Sequence, residues 1–287
     1  MMRRGLTEQP HLSLILPAYR AADYIEDSIN TVLDALSAIG RPFEVLVVCD
    51  GPDGSEERAR SVVDPRVRVF SYPENRGKGY AICFGVAQAR GRLIGWLDSD
   101  LDIHPRVIVE AVSRFDQGDI DAVIGSKRHP RSAVNYPPTR RVLSWGFQLL
   151  VRALFRINVR DTQVGAKLFR SEMLSIVAPL LVIKRYAFDL EVLAVGAEFG
   201  FDRIEEVPVQ LDYRFTGTGI NSSSVQRMFI DMLAIAYRIH LRHWYVRQFA
   251  SHERRRIRAG TDEENLEAPP QSYAAGAIWS EIVSPTE

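Results

Sequence analysis

The run Leu93-Ile94-Gly95-Trp96-Leu97-Asp98-Ser99-Asp100-Leu101-Asp102 decides how the rest of the chain is read. Five apolar residues without a polar alternate predict a strand covered on both faces. Three carboxylates then follow at alternate positions. Like charges so close repel one another unless water, a helix cap or a cation takes up their charge. A lone Asp-x-Asp is ordinary in a turn, and Asp102 stands where it can cap a helix beginning near Pro105. Position therefore matters more than composition here.

Working outward, apolar runs at 12–18, 43–49, 67–71, 93–97 and 121–125 alternate with helical patterns at 23–39, 55–63, 80–90 and 105–116. In the first of these helices Ile25, Ile29, Val32, Leu33, Leu36 and Ile39 recur at helical spacing. This alternation predicts an α/β fold with a mostly parallel sheet flanked by helices. Ligands in such sheets collect beyond the carboxyl ends of the strands. Asp50, which opens Asp50-Gly51-Pro52-Asp53-Gly54, and the 98–102 triplet both fall at such ends. Further on, 127–141 reads as a basic loop, 142–158 as a helix, 161–170 as a loop entering a strand, 186–199 as a helix, 203–211 as a strand and 224–246 as a long amphipathic helix. The expected organisation is an arm (1–11), a first half (12–126), a second half (127–249) and a mobile charged tail (250–287).

The 287 residues are 46% hydrophobic and 25% charged, enough to build a sizeable core. Lys plus Arg equals Asp plus Glu at 36 each, so composition offers no sign of nucleic-acid binding. Cys49 and Cys83 sit in apolar surroundings and suggest neither a disulfide framework nor a zinc knuckle. The N-terminus has no long apolar run after its arginines, and Arg152, Arg156, Asp231 and Arg238 interrupt the two most apolar helices. The expectation is a cytoplasmic protein at the inner face of a membrane, lying on it rather than crossing it.

Several carboxylates gathered at one sheet edge fit a hard divalent cation, Mg²⁺ or Mn²⁺, which takes one or two carboxylates and completes its shell with water and substrate phosphates. Five segments then occur in order: Pro17-Ala18-Tyr19; Asp50-Gly51; Asn75-Arg76-Gly77-Lys78-Gly79; Asp98-Ser99-Asp100-Leu101-Asp102; and Asp161-Thr162-Gln163-Val164-Gly165-Ala166-Lys167. From residue 12 to about 245 the chain resembles glycosyltransferase family 2, and within it the polyprenyl-phosphate (dolichyl-phosphate) mannosyl- and glucosyltransferases. The resemblance implies a GT-A type nucleotide-sugar-binding fold. It implies an inverting transfer of a hexose, mannose slightly ahead of glucose, from a GDP-mannose or UDP-glucose type donor to a polyprenyl phosphate.

The resemblance also assigns roles. Pro17, Ala18 and Tyr19 line the base pocket, Asp50 meets the base or ribose, and Gly77 and Lys78 form a loop near the nucleotide. Asp98, with Ser99, faces the ribose and sugar, while Asp100 and Asp102 hold the metal. Arg214 helps bind the diphosphate. A lipid phosphate is already anionic and needs positive charge rather than a strong base. Lys127, Arg128, Arg131, Arg140 and Arg141 supply that charge, and Lys127 or Arg128 takes the place of the family's phosphate-side arginine. Asp161 and Gln163 belong to the acceptor side or to a network between the halves, and Asp189 and Glu191 read equally well as structural.

The chain departs from the pattern at Ala21, Cys49 and 216–221, which bear on base preference and loop closure. The helices at 142–158 and 225–246 combine arginines with large apolar residues, as a membrane surface favours, although amphipathic faces ordinarily pack on a core. Two further readings stay open: transfer to a saccharide or other soluble hydroxyl, and a non-catalytic nucleotide-sugar-binding module.

Overall fold

A computed structural model of the protein describes residues 9–132, 138–155, 157–184, 187–211 and 222–262, with the side chains of 138–145, 222–225 and 255–262 outside the description. Seven strands form one sheet: β1 (Leu12–Ala18), β2 (Phe43–Asp50), β3 (Val67–Tyr72), β4 (Leu93–Leu97), β5 (Ala122–Ser126), β6 (Ala166–Arg170) and β7 (Ile204–Pro208). Their order is β3-β2-β1-β4-β6-β5-β7. Strands β3, β2, β1 and β4 run parallel, as do β5 and β7. Strand β6 is antiparallel to both neighbours. It comes from the second half of the sequence and inserts beside β4, so the two halves share one sheet.

The strand pattern explains the two cores. On β1 and β2, Ile15, Leu46 and Val48 face one side, with Ile94 and Trp96 of β4 and Phe169 of β6. Leu14, Leu16, Val45, Val47, Leu97 and Leu168 face the other. The period of two is that of successive side chains on a pleated strand. The second face is covered by α1 (Ile25–Ser37) and α4 (Arg106–Gln117), whose apolar stripes are fully buried. The first is covered by α3 (Lys78–Gln88), α5 (Pro138–Phe155), α6 (Ser171–Val177), α7 (Phe188–Glu198) and α8 (Ser222–Ala236). The short α2 (Ser55–Arg60) follows β2.

Helix α6 lies where the sequence reading had no element. The reading of 224–246 as one helix gives way to α8, a π-helical turn Tyr237–Leu241 and α9 (Trp244–Asp262). His243 between them has φ 45°, a left-handed break. Tyr245 is buried and its hydroxyl donates to Glu191 Oε1. The helix thus continues through 250–262, where Glu253, Arg254, Arg255 and Arg256 are good helix formers. Residues 263–287 lie outside the described residues.

Candidate active site

Strand β4 ends at Leu97, and the chain then folds back tightly. Asp98 N donates to Gly165 O at 3.1 Å, Leu101 N to Asp98 O at 3.1 Å, and Asp102 N to Asp100 Oδ1 at 3.2 Å. Leu101 adopts φ 51° while its side chain is buried in the second core. A branched apolar residue in the left-handed region costs roughly 1–2 kcal/mol, and burial of the leucine holds it there. The turn gathers Asp98, Asp100 and Asp102, all half-buried, at the end of β4. Burial pushes the Asp100 carboxyl above its ordinary range, and the charges of Asp98 and Asp102 add to that. Burial also raises Asp102, with Lys127 opposing and Asp98 reinforcing the shift.

Lys78, the first residue of α3, pairs with Asp98. Burial alone would lower its pKa, but Asp98 and Asp189 outweigh that and raise it. Beneath lies a second pair: Lys167 Nζ stands 2.8 Å from Asp189 Oδ1 and donates to Val164 O, while Trp96 Nε1 donates to Asp189 Oδ1 at 3.2 Å. Lys167 is fully buried, and desolvation lowers its pKa despite Asp189. Acids and bases therefore alternate from the turn into the core. Gly165 completes the wall: a methyl group there would overlap the Asp98 carboxylate. Only glycine leaves room for Asp98 to meet Lys78.

Extending the strand registers, by two residues for β1–β4 and by one for β1–β2, places Pro17 beside Asp98 and Tyr19 beside Asp50. Pro17 is half-buried, Ala18 buried, and Tyr19 is 46% exposed at the rim with the Arg20 guanidinium 5.2 Å from its ring centre. Tyr19 is thus an open aromatic face and not a packed one. Ser99 is buried and hydrogen-bonds the Tyr24 hydroxyl.

Asp50 is buried, and its carboxylate accepts from Arg76 N (2.7 Å), Gly77 N (2.9 Å) and Asn75 Nδ2 (3.0 Å). Those bonds brace the 75–77 loop against the end of β2 and hold Asp50 at the carboxyl edge of the sheet. Gly77, at φ 95° and ψ 156°, is in a conformation open only to glycine, and it turns the loop into α3.

On the other flank, Lys127 N donates to Asp161 Oδ2 at 3.3 Å and Gln163 N to Asp161 Oδ1 at 3.2 Å. Burial raises Asp161, although those N–H groups and the charges of Lys127 and Lys167 oppose it. Ser126 Oγ, Thr162 Oγ1, Gln163 Nε2 and Asp102 Oδ1 are buried without a hydrogen-bond partner among the described residues. Buried polar groups are rarely left so, and these four lie on the end of β5, the 161–163 segment and the acidic turn. Arg128 is half-buried on the same loop. A polar recess of about 330 Å³ opens behind it, lined by His129, Arg152, Asn158, Arg160 and Glu206.

Arg131 is not brought to the site. Its guanidinium lies 3.5 Å from Glu110 Oε1 on the outer face of α4, because residues 129–132 turn back toward β5 through Ser132 Oγ to Ser126 O. Arg140 and Arg141 fall on the first turn of α5 with their side chains outside the description, and Arg214 falls outside the described residues. Sequence reasoning gave no separate role to Gly165 and left Asp189 undecided. The available signal was the Asp161–Lys167 motif, whose glycine and lysine prove to be the wall and the floor.

The residues fit a divalent cation. A carboxyl raised by burial and by the acids on either side of it gains from a cation, and Asp102 Oδ1 is a buried acceptor with no donor among the described residues. No cluster of three or more His, Cys, Asp or Glu side chains placed to hold a metal occurs among the described residues. A Mg²⁺-like ion there would draw its remaining ligands from diphosphate and water.

Comparison with known proteins agrees with this geometry. Residues 13–176 match the model for Glycosyl transferase family 2. Glycosyltransferase AglD of Haloferax volcanii is 30% identical over 203 residues, 69% of this chain and 32% of that protein. This chain thus spans about a third of AglD. Dolichyl-phosphate beta-glucosyltransferase of Dictyostelium discoideum is 27% identical over 83% of this chain and 77% of that one. Glucosyl-3-phosphoglycerate synthase from Mycobacterium tuberculosis, in complex with Mn²⁺, UDP-glucose and phosphoglyceric acid, shares the fold at a TM-score of 0.60 and 20% identity, covering 79% of this chain and 80% of that one. A family match over more than half the chain, on a GT-A type sheet with its acids at the carboxyl edge, makes this protein a hexosyltransferase belonging to glycosyltransferase family 2.

Proposed function

We propose that the protein transfers glucose from a UDP-glucose type donor to the phosphate of a polyprenyl phosphate. The observation that carries this is the strained Asp98–Asp102 turn, with Lys78 on one side and Lys127, Asp161 and Gln163 on the other. It sets a site for a cation-bound diphosphate against a flank suited to an anionic acceptor. Glucose stands ahead of mannose, which the sequence favoured slightly, because the named dolichyl-phosphate relatives are glucosyltransferases. A GDP-mannose type donor is the competing substrate to assay.

In this reading Tyr19 stacks on the base, and Pro17 and Ala18 shape its pocket. Asp50 acts through the loop that positions Gly77 and Lys78. Asp98, steered by Lys78 and Gly165, orients the sugar, with Ser99 behind it. Asp100 and Asp102 hold Mg²⁺ or Mn²⁺, which when bound serves as a Lewis acid for the departing diphosphate. Lys127 and Arg128 neutralise the acceptor phosphate and place one of its oxygens on the face of the anomeric carbon opposite the leaving group. That oxygen forms the new bond as the carbon–oxygen bond to the diphosphate breaks, inverting the centre. The acceptor brings its own negative charge, so no side chain need remove a proton. Residues 12–126 would serve the donor and 127–249 the acceptor.

The test is incubation with labelled UDP-glucose or GDP-mannose, a short polyprenyl phosphate and Mn²⁺. Label extracted into the organic phase from UDP-glucose is the expected result. Label from GDP-mannose alone would overturn the donor. Label confined to water-soluble products would move the acceptor to a saccharide or other soluble hydroxyl, and no transfer would leave a nucleotide-sugar-binding module.

A further inference from the structure

The acids Asp189 and Glu191 lie in the first turn of α7, and the sequence leaves both undecided between structure and catalysis. Both are buried, which is costly for a carboxylate that is not paired. Glu191 has a mechanical task. Its Oε2 accepts from Val182 N at 3.0 Å and Ile183 N at 2.7 Å, and its Oε1 accepts from the Tyr245 hydroxyl. That anchors the 181–184 segment, and Lys184 O in turn accepts from Gly79 N at 3.0 Å. Gly79 is the second residue of α3, a helix with no side-chain cap. A donor that the helix cannot satisfy itself is thus taken by the segment that α7 supports. Phe188 packs so closely on Gly79 that a methyl group there would meet its ring at 2.7 Å. The first turns of α3 and α7 are therefore locked face to face.

This lock brings Asp189 within reach of the charge on Lys78, the first residue of α3. From the sheet side, Asp189 is held by β4 and β6. Trp96 and Lys167 stand directly opposite in the antiparallel register, so their side chains share a face. Trp96 Nε1 and Lys167 Nζ both reach Asp189 Oδ1, at 3.2 and 2.8 Å. The indole is fixed in its turn by Phe169, stacked at 4.8 Å between ring centres, and by Phe188 at 5.8 Å. A buried ion pair adds little stability over apolar side chains of similar size, so stability alone does not account for this one. What the pair does supply is a negative charge that cannot move. Trp96 and Asp98 are two residues apart, so the face that carries the indole leads on to Asp98 and its partner Lys78.

We infer that Asp189, anchored by Lys167 and Trp96, is a positioning residue that holds the Lys78 ammonium in place and through it fixes Asp98 for the donor sugar. Asp189 touches no substrate in this assignment. It gives Lys78 a second counter-charge that stays put when a donor enters. The inference rests on the reading above in one respect, that Asp98 orients the sugar. The arrangement of the four residues stands on the contacts alone.

The test removes the pair as a unit. K167M/D189N leaves no unmatched buried charge, so its melting temperature should stay near the wild-type value. Lys78 is followed by its rate of acetylation with acetic anhydride, resolved by peptide mass spectrometry with Lys127 and Lys184 as internal references. In K167M/D189N, Lys78 should react at least about fivefold faster with the references unchanged, because the reagent needs the neutral amine that Asp189 disfavours. Donor consumption is assayed with UDP-glucose and with GDP-mannose. The kcat should fall at least about tenfold while the Kd of UDP in the presence of Mn²⁺ stays within about twofold. In a K78M background the same two substitutions should lower kcat by less than about twofold, since their effect runs through Lys78. If the pair variant does not fold, W96F removes one bond to Asp189 and keeps both charges. It should raise Lys78 reactivity about twofold and lower kcat about threefold, the latter only where Lys78 is present. Unmoved Lys78 reactivity, an unchanged kcat, or the full loss repeated in the K78M background would overturn the assignment. So would an equal loss of UDP affinity, which marks a general distortion. A wild type that consumes neither donor would sink the proposed function instead, and Lys78 reactivity would then decide the inference by itself.

Discussion

Asp50 and Asp100 look alike in the sequence and differ in the fold. Each follows an apolar parallel strand, and each lies at the carboxyl edge of the sheet. Asp50 is surrounded by donors: two backbone N–H groups and an asparagine amide close on one carboxylate. Asp100 is surrounded by acids, and burial with Asp98 and Asp102 pushes it above the usual range. Asp50 is thus tied to its own loop, whereas Asp100 repels its neighbours, and a cation at the acidic turn would relieve that repulsion.

Breaking that comparison should give its largest effect at Asp100. D100N should lower transfer at least about a thousandfold, several kcal/mol of transition-state stabilisation, without lowering the stability of the metal-free protein. Initial rates with saturating Mn²⁺, beside denaturation in EDTA, read both. D50A should do the reverse, costing about 3 kcal/mol in urea denaturation because it strands buried donors, and losing activity through the 75–77 loop. If D50A were neutral for stability and D100N strongly destabilising, the two assignments would have to be exchanged.

Gly165→Ala sharpens the comparison at the wall. Its added methyl pushes the Asp98 carboxylate away from Lys78. We expect a fall in transfer of about a hundredfold with a smaller change in melting temperature. The smallest effect concerns a third acid, Asp121. Burial would raise it, but hydrogen bonds from Arg203 win and hold it below its ordinary value of 3.8. Its contribution to stability is therefore present above that value and lost as pH falls through the lower folded-state value. D121N should be somewhat less stable at neutral pH and should show a shallower loss of stability below about pH 4, measured by denaturant midpoints at successive pH.

Much of the fold was legible. Strands 12–18 and 93–97 coincide with β1 and β4, and most other elements agree to within two or three residues. Their apolar runs are short, bounded by turn residues and buried on both faces, so local composition carries the signal. Helix α6 escaped because it is one short segment directly continuous with β6. The antiparallel direction of β6 escaped because direction depends on which strand the chain returns to, and no local pattern records that. Within the site, the acid turn and the glycine loop were legible from residue type. The pairing of Arg131 with Glu110 was not, since it depends on where a loop folds relative to a helix over twenty residues away.

By itself, the sequence determined an α/β sheet, a place for chemistry at its carboxyl edge and the acidic turn that occupies it, because hydrophobic period and residue chemistry are local properties. Only the tertiary structure decided which acids are hydrogen-bonded by their own chain and which repel one another. It also set Gly165 and the Lys167–Asp189 pair under Asp98 and left a second face of α8 uncovered. Those outcomes depend on what lies within a few ångströms across distant segments, and hydrogen-bond satisfaction, desolvation and exposure are quantities that exist only once the chain has closed on itself.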